Sequence, residues 1–343
     1  KEEVMINSRR WVVASIIVGL LFNAVPAGAA DEEEDGHPLA SLPLRHNGPA
    51  ITSGRISDFA FYPGSKHEFL VAVASGNLWK TDNNGITWTP LFDNEGSYAI
   101  GVVELDPNDS KTIWVGTGEN NAQRSVGYGD GVYTSIDGGT SWTNMGLENS
   151  GHISQIWINP ADSNEVLVAA QGPLWSDGGD RGLYRTLDGG ANWDRILDID
   201  EHTGINEFVV DPRNPDVIVA SSYQRRRHVW VLINGGPGSA IHKSTDRGKT
   251  WTKVSAGLPK DHMGRIGLAA APSNPDMIYA IIEANEDEKG VYRSTDFGSN
   301  WEKRSSHMTT SPQYYNEIVV DPRNENRLYS LDTFTNKSED GGQ

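Results

Sequence analysis

The sequence predicts an all-β protein, a β-propeller of four-stranded antiparallel blades, and three observations predict it. A short block with an aspartate and a tryptophan recurs along the chain, a proline turn recurs ahead of it, and the segments between are short apolar runs. Turn chemistry repeated about every 50 residues suits radially stacked blades, whereas a β-sandwich has no reason to repeat it. Composition agrees: 37 Gly and 11 Trp among 343 residues suit short strands and tight turns. The absence of Cys excludes disulfides, thiolate metal sites and a Cys nucleophile. With 29 Lys and Arg against 46 Asp and Glu, the net charge of −17 repels phosphate backbones, so nucleic acid is not an expected partner.

Taken in order, residues 1–4 precede the first Met and read as upstream read-through, and residues 5–29 read as a signal peptide. Arg9 and Arg10 form its basic end, an apolar run spans 11–22, and Ala27-Gly28-Ala29 supplies a small-residue cleavage site. That run is about 12 residues long, short of the roughly 20 a membrane-spanning helix needs. The expected location is therefore periplasmic or extracellular, with no membrane span after signal removal. Residues 30–44, with the DEEED run at 31–35, read as a solvated acidic spacer.

From residue 45 to 343 the chain is one repeated unit. The blocks read TDNNGITW at 81–88, SIDGGTSW at 135–142, TLDGGANW at 186–193, STDRGKTW at 244–251 and STDFGSNW at 294–301. Their tryptophans, Trp88, Trp142, Trp193, Trp251 and Trp301, are 54, 51, 58 and 50 residues apart. A sixth block begins at Ser338 and stops at Gln343, so five complete blades, a truncated sixth and a fragment of a longer propeller are expected. Within each block the acidic residue (Asp137, Asp188, Asp246, Asp296 and Asp340, with Asn83 in the first copy) accepts backbone N–H groups inside a hairpin turn. The glycine takes the positive-φ position, and the tryptophan covers apolar surface between sheets. Proline turns such as 106–109, 159–162 and 211–216 separate two apolar strands. One unit is thus strand A, proline turn, strand B, variable loop, strand C, aspartate turn, strand D.

These blocks resemble the Asp-box, or bacterial neuraminidase repeat. That repeat occurs in sialidases, xyloglucan-cleaving glycoside hydrolases, sortilin-type receptors and a photosystem assembly factor. The stretches VGTGEN (115–120), GYGDGVY (127–133) and YQRRR (223–227) look most like large exported bacterial sortilin-like proteins, often labelled glycosyl hydrolases. The resemblance implies a propeller scaffold and leaves the chemistry open. Xyloglucan-cleaving members carry a catalytic aspartate in the first blade leading into strand C, where this chain has Ala74-Ser75-Gly76-Asn77. Sialidases begin with an Arg-Ile-Pro-like motif, of which Gly54-Arg55-Ile56-Ser57 keeps only Arg-Ile.

Strand order places the A–B and C–D turns on one face, so function is expected on the other, where the B–C loops vary. The loop at 116–131 gathers Glu119, Asn120, Asn121, Arg124, Tyr128 and Asp130, the mixture a sugar or peptide site uses; its alternative is a solvated loop with internal ion pairs. The loop at 171–182 offers Trp175, for stacking or packing, beside Asp177 and Asp180. The loop at 223–238 holds Arg225, Arg226, Arg227, His228 and Trp230, its arginines either an anion clamp or partners for acidic loops. His152, His202, His262 and His307 recur near the D–A connections without fixed ligand spacing, and no phosphate loop, HExxH, GxSxG or EF-hand pattern appears, so no metal or cofactor is expected. Two readings stand. One is a propeller binding a peptide, protein or glycan through Glu119, Asn120, Arg124, Tyr128, Trp175 and Arg225 to Arg227. The other is a glycoside hydrolase with paired carboxylates drawn from Glu119, Asp130 and Asp177.

Overall fold

The computed structural model describes residues 55–343; the upstream residues, signal peptide and acidic spacer lie outside them. Among the described residues twenty-four strands form six separate sheets, every pairing antiparallel. Blade 1 comprises β1 (Ile56–Phe61), β2 (Phe69–Val73), β3 (Asn77–Thr81) and β4 (Thr89–Pro90). Blade 2 comprises β5 (Ile100–Leu105), β6 (Ile113–Thr117), β7 (Val132–Ser135) and β8 (Thr143–Asn144), and blade 3 comprises β9 (Ile153–Ile158), β10 (Val166–Ala170), β11 (Gly182–Thr186) and β12 (Asp194–Leu197). Blade 4 has five strands: β13 (Thr203–Val210), β14 (Ile218–Arg227), β15 (Leu232–Asn234), β16 (Ala240–Ser244) and β17 (Thr252–Val254). Blade 5 runs β18 (Ile266–Ala271), β19 (Asn274–Ile282), β20 (Gly290–Ser294) and β21 (Glu302–Ser305), and blade 6 holds β22 (Glu317–Asp321), β23 (Asn324–Leu331) and β24 (Asn336–Ser338). The expected strand order holds in each blade, and the fold is a β-propeller.

The second strand of a blade is sandwiched between two neighbouring sheets, so both of its faces are apolar. Val166–Ala170 is buried at every position for this reason. The cores therefore lie between blades: Leu70, Ala72 and Leu78 meet Ile100, Ile113 and Val115, and Leu167, Ala169 and Leu183 meet Ile205, Phe208 and Ala220. The tryptophans clamp these seams. The indole N–H of Trp142 donates to Leu91 O at 2.7 Å, that of Trp193 to Met145 O at 2.8 Å and that of Trp251 to Ile196 O at 2.7 Å, each in the preceding blade. Blade 1 turns its other face outward, and there Phe59, Phe61, Phe69 and Trp88 form a chain of ring contacts with Phe59 and Phe61 exposed.

The turn face repeats one hydrogen-bond pattern. Asp137 Oδ1 accepts from the N–H of Thr140 (3.0 Å) and of Ser141 (2.9 Å), and Oδ2 accepts from Ser141 Oγ at 2.6 Å. Ser135 Oγ donates to Asp137 and accepts from Gly139, whose φ of +89° a side chain would resist. Asp188, Asp246, Asp296 and Asp340 repeat it, and Asn83 Oδ1 substitutes by accepting from Thr87 N at 2.9 Å. Two elements depart from expectation. In blades 5 and 6 the A–B turn is a tight hairpin, so Pro275 and Asp276 lie within β19. The loop at 223–238 is instead a hairpin that extends β14, with Arg225, Arg226 and Arg227 paired to Asn234, Ile233 and Leu232.

Inner strands carry a small polar residue followed by a longer one, and these bind the next blade. Ser57 Oγ donates to Ile100 O at 2.7 Å, and Asn206 Nδ2 donates to Ile266 O at 2.8 Å. Asp58 accepts from Val103 N, Gln155 from Phe208 N and Glu207 from Leu268 N. The acids among them, with Glu104, have poorly hydrated carboxyls. Burial raises Asp58 to about 7; burial and then the charge of Asp58 raise Glu104 to about 8; burial and then Glu317 raise Glu207 to about 8.

Candidate functional site

The residue directly before the first Ile of an inner strand stands at the channel mouth on the loop face. Arg55, His152 and Arg265 occupy that position before Ile56, Ile153 and Ile266. Into this mouth the blade 2 loop sends residues 119–122. Gly118 turns the chain inward at φ +89°, and a Cβ there would sit 2.0 Å from Gly151 O. The four residues then bond to all five other blades. Glu119 takes both arms of Arg55 and also accepts from Asn121 Nδ2. Asn120 Oδ1 accepts from Gln171 of blade 3, and its carbonyl accepts from Arg265 of blade 5 at 3.0 Å. From blade 4, Arg225 donates to Asn121 O and Arg227 to Ala122 O, both at 2.7 Å. Ala122 N closes the circuit by donating to Gln313 O at the entry to blade 6, at 3.0 Å. The segment lies across the channel mouth as a plug.

The charges around the plug are unusual. Arg181, Arg225 and Arg265 are 1%, 0% and 0% exposed. Arg181 donates to the carbonyls of Gly178, Gln171, Pro173 and Ser176, and so organises the blade 3 loop. Burial pushes Arg225 down to about 9 and Arg181 to about 10, with both still cationic at neutral pH. His152 is fully enclosed beneath the Tyr128 ring, 5.4 Å between centroids. Burial, then the neighbouring Arg225, hold it well below the usual imidazole range, so it is neutral.

Beside the plug two cavities of about 620 and 270 Å³ meet at Asp177. The larger is lined by Tyr128, Glu148, Asn149, Ser176 and Asp180, between blades 2 and 3. The smaller is lined by His202, Gln224, Arg225, Arg226, His228 and Ile233, between blades 3 and 4. By strand alternation the side chains of Gln224, Arg226 and His228 share one face of the hairpin, while Arg225, which also borders the cavity, and Arg227 share the other. Asp177 accepts from Arg226 and lies 2.8 Å from His202 Nδ1. At the hairpin tip Trp230 stands 81% exposed and stacks on His228 at 5.8 Å and 15°.

The predicted site residues thus divide. Glu119, Asn120, Arg225 and Arg227 hold the plug, whereas Arg226 and Asp177 face the groove. The three arginines do not form one clamp, because consecutive strand residues point to opposite faces. Trp175 is half-buried and packs against Ala122, Val126 and Leu174 instead of standing free to stack. Tyr128 is 51% exposed at the groove edge, and Arg124 reaches Val229 O at 3.3 Å. Asp130 is occupied by Thr117 Oγ1 and Tyr133 Oη, and Asp180 accepts from Asn149 N at 2.9 Å. Sequence reasoning did not single out Arg181, Arg265 or Gln171, and it named His202 only as one of four histidines without fixed ligand spacing. The set Arg55, His152 and Arg265 had a usable signal, a basic residue at one fixed register before the inner strands of blades 1, 3 and 5. Among the described residues no cluster of His, Cys, Asp and Glu has the makings of a metal site, and no helix is long and apolar enough to cross a membrane.

No protein-family model matches the chain. It is 26% identical over 243 residues to a xyloglucanase of Acetivibrio thermocellus, a match covering 62% of this chain and 27% of that protein. It is 32% identical over 118 residues to vacuolar protein sorting/targeting protein 10 of Colletotrichum graminicola, covering 34% of this chain and 6% of that protein. Among solved structures the GH74 enzyme of Niastella koreensis superposes with a TM-score of 0.62 at 17% identity, over 84% of this chain and 45% of its own. The chain therefore spans about a quarter of the length of the xyloglucanase it matches. The structural likeness establishes the propeller.

Proposed function

We propose that this chain is an exported binding propeller whose ligand, an extended glycan, lies in the loop-face groove over blades 2 to 4. One observation carries the reading. The channel mouth is filled by residues 119–122 with their polar groups engaged, while the groove beside it keeps ring planes and charged groups open to solvent. Tyr128 and Trp230 offer flat apolar surfaces at its edges, and Asp177, His202, Arg226 and His228 supply hydrogen-bonding groups between them. Flat rings flanked by planar polar groups suit pyranose faces and hydroxyl rims, with little ordering cost in a largely preformed site. Xyloglucanases among the relatives support a glycan over a peptide.

Affinity electrophoresis against neutral and acidic plant polysaccharides tests the reading. Retardation of the native protein that is lost in Trp230→Ala, at an unchanged melting temperature, is the expected result. Absence of retardation by every polysaccharide, or retardation indifferent to Trp230→Ala, contradicts it. The same relatives motivate a second reading, cleavage of the glycan. There Asp177, the carboxylate shared by both cavities, is the candidate, and release of reducing ends that disappears in Asp177→Asn is its signature.

A further inference from the structure

In an acidic protein, five guanidiniums gather beside this groove, with Asp177 where the two cavities meet and Glu148 and Asp180 confined to the side between blades 2 and 3. Arg124, Arg181, Arg225, Arg226 and Arg227 come from three consecutive blade loops. Among the described residues only Arg226 has a carboxylate partner, Asp177. The others spend their donors on carbonyls: Arg225 on Asn121 and Gly172, Arg227 on Ala122, Arg124 on Val229. Carbonyl dipoles satisfy hydrogen bonds and cancel no net charge, so the field of these guanidiniums reaches the groove. Two of the buried donors, Nε of Arg225 and Nε of Arg226, have no partner at all. Arg225 is completely enclosed, so its charge is screened less than one in water. Arg226 sits in the 270 Å³ cavity and is held by a carboxylate that is itself 46% exposed.

From this we propose that the groove selects a carboxylate-bearing sugar, a uronate unit of an acidic polysaccharide, whose carboxylate displaces Asp177 from Arg226. The inference rests on the groove being the binding site and adds the class of glycan. Asp177 then acts as a built-in competitor. A planar carboxylate matches the guanidinium fork in the two-bond geometry that a hydroxyl cannot reproduce. The ring planes of Tyr128 and of the His228–Trp230 pair favour a uronate over an acidic peptide, because each pyranose presents a flat face for stacking and a peptide does not.

Calorimetric titration of the full chain with hexagalacturonate, with neutral xyloglucan oligosaccharide and with a polyglutamate peptide tests this. The expected result is binding of hexagalacturonate at least tenfold tighter than of the neutral glycan. Arg226→Gln weakens it tenfold or more, Asp177→Asn tightens it several-fold, and raising salt from about 50 to 200 mM weakens it. Tightening on loss of a carboxylate is not a result that general damage to the site would give. Equal affinity for neutral and acidic glycans, or indifference to Arg226→Gln, overturns the inference; binding of the neutral glycan that still requires Trp230 would leave the groove assignment standing. Polyglutamate binding tighter than hexagalacturonate with the same Arg226 dependence also overturns it, in favour of an acidic peptide. If none of the three probes binds, the groove assignment falls together with the inference.

Discussion

The two faces of this propeller solve opposite electrostatic problems. On the turn face carboxylates are satisfied by backbone N–H groups a few residues away, as Asp137 is by Thr140 and Ser141. On the loop face guanidiniums are satisfied by backbone carbonyls more than a hundred residues away, as Arg225 is by Asn121 and Arg265 by Asn120. The first arrangement is local and repeats with the sequence, so it builds every blade alike. The second occurs once and ties the blades together through a single crossing segment. A repeat fold thus acquires one unrepeated centre, and the groove beside that centre is where the faces cease to be equivalent.

The comparison breaks most visibly at the blade seams. Trp142→Ala removes a half-buried ring, its contact with Phe92 at 5.0 Å and its bond to Leu91 O. A loss of about 3–5 kcal/mol in denaturant unfolding is expected, with glycan binding retained by whatever remains folded. A loss below about 0.5 kcal/mol would show that the seam does not depend on the indole.

Removing a plug cation has a smaller and more local effect. Arg225→Met leaves the carbonyls of Asn121 and Gly172 without donors, for a cost of about 1–3 kcal/mol. Amide exchange at 119–122 should accelerate well beyond that of the blade strands. Uniform acceleration across all blades would mean that the arginine supports the fold generally and not the plug.

The smallest effect concerns the channel acids. Glu207, raised to about 8, holds its proton in the folded chain and loses it on unfolding near neutral pH. A carboxyl with a raised folded value contributes stability below its unfolded value, and that contribution is lost as pH climbs through the folded one. Between about pH 5 and 9 the melting temperature should therefore fall by a few degrees. Glu207→Gln, neutral throughout, should flatten the fall, and an identical slope in the variant would refute the assignment.

How much of this was legible follows from the same contrast. The aspartate turns, the strand order and the tryptophan seams were readable because each rests on residues within one block or on a period that carries from one block to the next. The plug was not, because nothing in GENN at 118–121 announces that six blades converge on it. The arginine run left a clamp and partners for acidic loops both open, because adjacency in sequence does not show that strand geometry divides Arg226, paired to Asp177, from Arg225 and Arg227. Trp230 and His228 gained meaning only when the loop folded as a hairpin that carries them to the groove.

Hydrogen exchange with and without a bound acidic glycan tests the central claim most directly. Protection confined to 173–180 and 224–233, with 119–122 unchanged, is the predicted footprint of a ligand that lies beside a closed channel. New protection or opening at 119–122 and along the inner strands β5 and β13 would place the ligand in the channel and contradict the account.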